Sequence, residues 1–293
     1  MKLTETHIVP QRSAPIRLQD YGVGIFDAFP TKSAFKKALK KDYVSINDNI
    51  ATSATFINGG ETITLSVPEN VSPKKRLIFK LKVLFEDDYL AIIHKPGGIL
   101  VSGNHFKTIT NALIQNLKQS TLEDATQPQP AHRLDFPTTG ILLVGKTSSS
   151  IRALNKLFED RAIKKTYYAV TIGKMKPEGS ITTEVDGKPC KSNYKVHQTV
   201  PSERFGYLNL VELEPFTGRR HQLRKHLSGI GNPILGDKDY GIESLILNGK
   251  GLYLHAYSLK FVHPFTKEKM YLKDDFPLNF KKIFDSLEVG EIN

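Results

Sequence analysis

From residue 81 onward, short apolar runs alternate with turn-forming residues, a pattern that predicts many strands and few helices. "LKVLFEDDYLAIIHKPGGILV" reads as strands separated by turns, with Pro96, Gly97 and Gly98 forcing a loop. "TNALIQNLKQS" has the spacing of a helix. The unbroken run "GILLVGK" predicts a buried strand, and "SIRALNKLFEDR" a helix with Ile151, Leu154, Leu157 and Phe158 inward. Strands follow in "KKTYYAVTIGK" and "YLNLVELEP", then a helix in "RRHQLRKHLSG" closed by Gly229 or Gly231, then "YLHAYSLKFVHP" and "KMYLKDDF". Strands that outnumber helices without strict alternation point to an α+β domain with a mixed or antiparallel sheet, spanning residues 81–285.

A smaller unit precedes it over residues 18–67. In "SAFKKALKK", Ala34, Phe35, Ala38 and Leu39 recur at helical spacing while Lys36, Lys37, Lys40 and Lys41 take the opposite face, with Thr31 or Ser33 as N-cap. The alternating segments "YVSIN" and "ETITLSV", with "NDN" between them, predict a small sheet. A lysine-faced helix on a small sheet suits a phosphate backbone, although a solvated helix face would look the same. Residues 68–80 mix proline and charge without a period and read as a linker.

Charge sharpens this picture. The 293 residues carry a formal net charge of +11 with a pI near 9.5, an excess that attracts polyanions and makes nucleic acid the first partner to consider. No apolar run is long enough to span a bilayer, the first residues lack the apolar core of a secretion signal, and Cys190 is the sole cysteine. These features lead us to expect a cytoplasmic protein; they say nothing of its oligomeric state.

The candidate chemistry begins with a false lead. "GILLVGKT" fits the phosphate-loop pattern letter for letter at Gly140, Gly145, Lys146 and Thr147, but its middle residues Ile141 to Val144 belong in a sheet, where no open anion cradle forms. A nucleotide cofactor is therefore not expected. The histidines show no metal-ligand spacing, and no G-x-S-x-G turn exists. What remains is "AHRLDFPTTG", which sets Asp135 in a turn held by Pro137 and Gly140, and "EPFTGRRHQLRKHL", which puts Arg220 and Arg224 on one helix face. A guanidinium from that helix would keep Asp135 ionised and oriented, as a carboxylate nucleophile requires. Phosphate binding is the alternative use for these arginines, and a turn-capping role the alternative for Asp135.

Taken together, "HRLDFPTTGILLVGKT", "HKPGGILV", "KKTYYAV" and "TGRRHQLRKHL", followed by "NPILGDKDYG" and "LHAYSLKFVHP", resemble the RluA family of pseudouridine synthases over roughly residues 80–275. The N-terminal unit resembles the small RNA-binding domain of ribosomal proteins. The resemblance implies an enzyme that isomerises uridines in structured ribosomal or transfer RNA by base flipping, without cofactor or metal. It makes Asp135 the catalytic aspartate, acting by attack on the anomeric carbon or by removing a ribose proton. Tyr167 would lie against the target base, with Tyr168 beside it as a competitor for that place, and Arg224 would be the ion-pair partner of Asp135. Arg133 would help displace the base. RNA contacts would come from Arg133, His132, Lys165, Arg219, Arg220 and His221, and from Lys36, Lys37 and Lys40 of the small unit. A non-catalytic RNA chaperone or ribosome assembly factor is the alternative reading.

Overall fold

The computed structural model describes residues 3–26, 28–29, 32–68, 77–247 and 249–284. Thr31, the linker positions 69–76 and residue 285 lie outside them. The chain divides into two compact units, residues 1–75 and 76–293.

In the first unit, β1 (Leu3–Ile8), β3 (Val44–Ile46), β4 (Asn49–Ile50) and β6 (Thr62–Val67) form an antiparallel sheet in the order β1-β6-β3-β4. The short β2 (Ile16–Arg17) and β5 (Phe56–Ile57) pair separately, and α1 (Leu18–Tyr21) and α2 (Lys32–Lys40) complete the unit. Asn47 and Asp48 both take positive φ in the β3–β4 hairpin, the conformation that short polar side chains tolerate best. Phe35, Ala38 and Leu39 of α2 pack with Leu18, Phe26, Ile63 and Leu65, while Lys37 and Lys40 are exposed and Lys36 is half-buried. The lysine face predicted from the spacing is present. β1 lies ahead of the span expected for this unit and pairs with β6 along its whole length.

The second unit is built on one large sheet. Its main path runs β12 (Glu178–Ile181), β13 (Ser192–Ser202), β14 (Gly206–Pro215), β11 (Lys164–Ile172), β15 (Leu254–Val262), β10 (Thr139–Thr147), β8 (Leu90–Lys95) and β7 (Lys82–Glu86). β9 (Ala125–Pro130) pairs with β10, and β16 (Lys269–Lys273) with β15. All pairings are antiparallel except β10 with β15, where Thr139 and Gly140 lie beside His255 and Ala256. The mixed, mainly antiparallel sheet expected from the strand count is what forms.

The helices are α3 (Ile109–Leu113), α4 (Ser148–Glu159), α5 (Gln222–Gly229) and α6 (Leu278–Lys281). Successive residues of β10 serve two cores. Leu142 and Val144 pack with Ile109 and Leu113, whereas Ile141 and Leu143 pack with Leu154 of α4 and with Leu259 and Phe261. Burial on both faces explains why the run is apolar without alternation. It also settles the phosphate-loop match. The segment is a strand, Lys146 is buried with Nζ 2.8 Å from Glu86 Oε1 and donating to the Asp87 carbonyl, and Thr147 caps α4 in a capping box with Ser150. Among the described residues, no helix is long and apolar enough to cross a membrane, and no group of His, Cys, Asp and Glu has metal-binding geometry.

Candidate active site

Residues 131–138 connect β9 to β10 and carry Asp135. This loop is fixed from below by a lysine. Lys95, fully buried at the end of β8, donates from Nζ to the carbonyl oxygens of Pro96 (3.0 Å), Phe136 (3.2 Å) and Thr138 (2.7 Å). Burial lowers the Lys95 pKa to about 8, and the nearby charge of Asp135 works against that shift. Gly98 N donates to Phe136 O at 2.9 Å, and a Cβ on Gly97 would stand 3.0 Å from the Pro137 carbonyl. Gly140 closes the loop at φ +112°, where a side chain would lie 2.2 Å from Ala256 O. The "HKPGG" segment is thus the bed on which the aspartate loop rests.

The opposing wall is the segment from Glu214 into α5. Gln222 organises it. Its Oε1 accepts from Thr217 Oγ1 (2.7 Å) and Arg219 N (3.1 Å), and its Nε2 donates to Lys191 O (3.0 Å) and Ser192 Oγ (2.9 Å). His221 enters the helix from a left-handed conformation, φ 56°, which turns its ring toward the aspartate. Its Nδ1 lies 3.0 Å from Tyr240 Oη and its Nε2 3.8 Å from Asp135 Oδ1. Burial lowers the His221 pKa, opposed by Asp135 and reinforced by Arg224 and Arg220.

Arg224 departs from the expected arrangement. Its Nε and Nη2 grip Asp237 at 2.8 and 2.6 Å, and Nη2 reaches Asp239 Oδ2 at 2.7 Å; no ion pair joins it to Asp135. Burial opposes the Arg224 charge, but the two carboxylates outweigh it and hold the pKa above the ordinary range. A guanidinium this deeply buried is retained only with full pairing, and Asp237 is itself buried, so the two satisfy each other. Among the described residues, the basic side chain within 4 Å of an Asp135 oxygen is His221, whose burial disfavours its charged form.

Tyr167 and Tyr168 are neighbours on β11 and point to opposite sides of the sheet. Tyr167 lines the cleft. Burial, with the Asp135 charge added, raises its pKa, and its hydroxyl makes no hydrogen bond among the described residues. Tyr168 is buried in the core and donates to Glu212 Oε2 at 2.8 Å. His132 accepts from Leu143 N at Nε2 (3.1 Å), beside the ring of Phe158, and burial followed by the Lys165 charge lowers its pKa to about 3. Its place is at the base of the loop as a neutral ring. Lys165 is half-buried in the wall and its pKa is lowered by burial.

Asp135, His132, Lys165, Tyr167, His221 and Arg224 line one cleft of about 830 Å³, together with Arg133, Arg219 and Arg220. Arg161 and Lys164, which their sequence context does not single out, are there too. Arg133, Arg161, Lys164, Arg219 and Arg220 are exposed and form no ion pair among the described residues, so their charges face solvent in a cleft whose lining carboxylates are Asp135, Glu159 and Glu214. Lys36, Lys37 and Lys40 belong to the other unit. Lys95, Asp237 and Tyr240 are supporting residues that sequence reasoning missed. The signal for Lys95 is a lysine directly before proline at the end of an apolar strand; Asp237 and Tyr240 carry no comparable mark.

Residues 89–229 match the family described as RNA pseudouridylate synthase. The ribosomal large subunit pseudouridine synthase D of Nitrosomonas europaea is 30% identical over 295 residues, covering 92% of this chain and 83% of that protein. The ribosomal large subunit pseudouridine synthase C of Escherichia coli strain K12 is 28% identical, covering 87% and 88%. Among solved structures, human RNA pseudouridylate synthase domain containing 4 superposes with a TM-score of 0.55 at 27% identity, over 68% of this chain and 90% of that one.

Proposed function

Because the chain belongs to the RluA family of RNA pseudouridine synthases, enzymes that isomerise uridine within RNA, we propose that its substrate is ribosomal RNA and that Asp135 carries the reaction. The observation that supports this most is the placement of Asp135. It lies on a clamped loop at the bottom of a cation-lined cleft, with Tyr167 near its charge and His221 facing its oxygen. A non-catalytic RNA chaperone has no use for such a carboxylate.

The reaction conserves atoms. The bond between N1 of uracil and C1′ of the ribose breaks, a C5–C1′ bond forms, C5 loses a proton and N1 gains one, so no oxidant or group donor is needed. The uridine first leaves its stack, at a cost of about a few kcal/mol. Arg133, exposed at the rim, fills the gap that it leaves. Asp135 supplies the carboxylate that promotes cleavage at C1′, recessed among groups that keep it facing the sugar. Tyr167 stays a neutral phenol and gives the freed uracil a flat surface on which to turn. Arg219 and Arg220 hold flanking phosphates. The first unit, through Lys36, Lys37 and Lys40, adds phosphate contacts of its own.

The test is tritium release from RNA transcribed with 5-tritiated uridine, with wild type and Asp135→Asn on pooled ribosomal and transfer RNA. Release from ribosomal RNA by the wild type alone is expected. Release by Asp135→Asn would overturn the assignment of Asp135, and release from transfer RNA alone would overturn the substrate.

A further inference from the structure

Isolated exposed phenylalanines are ordinary surface features. Phe216 differs in its mounting. It follows Pro215 at the end of β14, lines the cleft, and leaves 40% of its surface exposed although its neighbours Pro215 and Leu213 are buried. Its backbone is pinned. Phe216 N donates to Lys191 O at 3.0 Å, Lys191 N donates to Thr217 Oγ1 at 3.3 Å, and Gln222 Nε2 donates to the same Lys191 carbonyl at 3.0 Å. The Lys191 ammonium stands 5.1 Å from the ring centroid. The ring is therefore held open, with a cation beside it and the unpaired Arg219 and Arg220 a few residues away along the same wall. Tyr167, on which the Asp135 charge acts, comes from β11 and is a separate surface.

A rigid aromatic ring backed by a cation is what an unstacked nucleobase binds, since stacking needs only a π-face while the phosphate needs only a charge. We propose that Phe216 and Lys191 form a second base-binding subsite, which stacks an unpaired nucleobase neighbouring the target uridine. This inference rests on the synthase reading and narrows its substrate class to uridines in loops or bulges whose neighbours can also leave the stack.

The chain contains no tryptophan, so Phe216→Trp places the sole indole of the protein at this subsite. Its fluorescence is titrated with two RNA hairpins, one with an oligouridine loop and one with the same loop made abasic, while filter retention scores binding in parallel. Quenching by the oligouridine hairpin, with retention but no quenching by the abasic one, is expected. Equal quenching by both, retention of the oligouridine hairpin without quenching, or retention of neither would overturn the subsite. On ribosomal RNA, Phe216→Ala is expected to raise KM about tenfold while changing kcat by less than about twofold, with Phe216→Tyr near wild type; an unchanged KM in Phe216→Ala would overturn it as well. Loss of the synthase reading looks different, because a wild type that forms no pseudouridine leaves the fluorescence result intact.

Discussion

The Lys95 ammonium donates to the Thr138 carbonyl across 2.7 Å, so a buried cation at the end of β8 fixes the β9–β10 loop that presents Asp135. Lys95→Met nearly keeps the side-chain length but removes the ammonium donor from the Pro96 and Thr138 carbonyls, while Phe136 O keeps its bond from Gly98 N. Unsatisfied buried groups of this kind cost about 1–3 kcal/mol each when water cannot replace the donor. We expect a loss of about 2–4 kcal/mol in urea unfolding and a fall in kcat of at least about tenfold, with RNA affinity retained. A variant with wild-type stability and turnover would show that the clamp is dispensable.

Arg224→Lys tests the buried fork. A point charge cannot reproduce the two parallel bonds to Asp237 while also reaching Asp239. Destabilisation of about 2–4 kcal/mol is expected by chemical denaturation, because Asp237 would remain buried with its charge underpaired. If the lysine variant unfolds like the wild type, the fork contributes little.

His132 gives the fold an acid limit. Its pKa lies near 3 in the native chain and near 6.5 when unfolded, so between those values the unfolded chain binds the extra proton. The stabilisation is complete above about pH 6.5 and is lost as pH falls toward 3. His132→Gln keeps an acceptor for Leu143 N without a titrating ring. Its unfolding free energy should therefore fall less than that of the wild type between neutral and acid buffer, and parallel losses in the two proteins would remove His132 as the cause.

Arg219 and Arg220 form no ion pair among the described residues, so their contacts should appear in the salt dependence of RNA binding. The Arg219→Ala/Arg220→Ala double variant should lower the slope of log affinity against log salt by about 1–2. Filter binding over a salt series reads this directly. An unchanged slope would place the RNA backbone elsewhere.

Removing residues 1–75 should weaken RNA binding and flatten its salt slope, while the remainder still melts cooperatively on its own hydrophobic cores. Equal affinity and slope in the shortened protein would show that the lysine face of α2 serves another purpose.

Much of this architecture is legible from residue order because burial on both sheet faces leaves long apolar runs, as in β8 and β10. β9 was not legible. Its sequence "ATQPQP" carries two prolines and pairs along one side only, with β10, so neither propensity nor alternation marks it. β1 was missed because its alternation, "LTETHI", is half polar. At the site, Asp135, Tyr167 and the arginines stand out because their types and order match a known pattern. The pairing of Arg224 with Asp237 does not, since a sequence shows which charges exist but not which of them are buried together.

The parallel pairing of β10 with β15 also has a consequence for biosynthesis. The strand leaving the Asp135 loop gains its β8 neighbour early in synthesis, but Thr139 and Gly140 meet His255 and Ala256 only after more than a hundred further residues have been made. A nascent chain that has not yet released β15 leaves β10 and β11 each short of one neighbour, with β10 held only by β8 and β9 and β11 only by β14. Catalytic competence thus waits for the last strands to leave the ribosome, and an incompletely translated copy would be a poor competitor for RNA that finished copies modify.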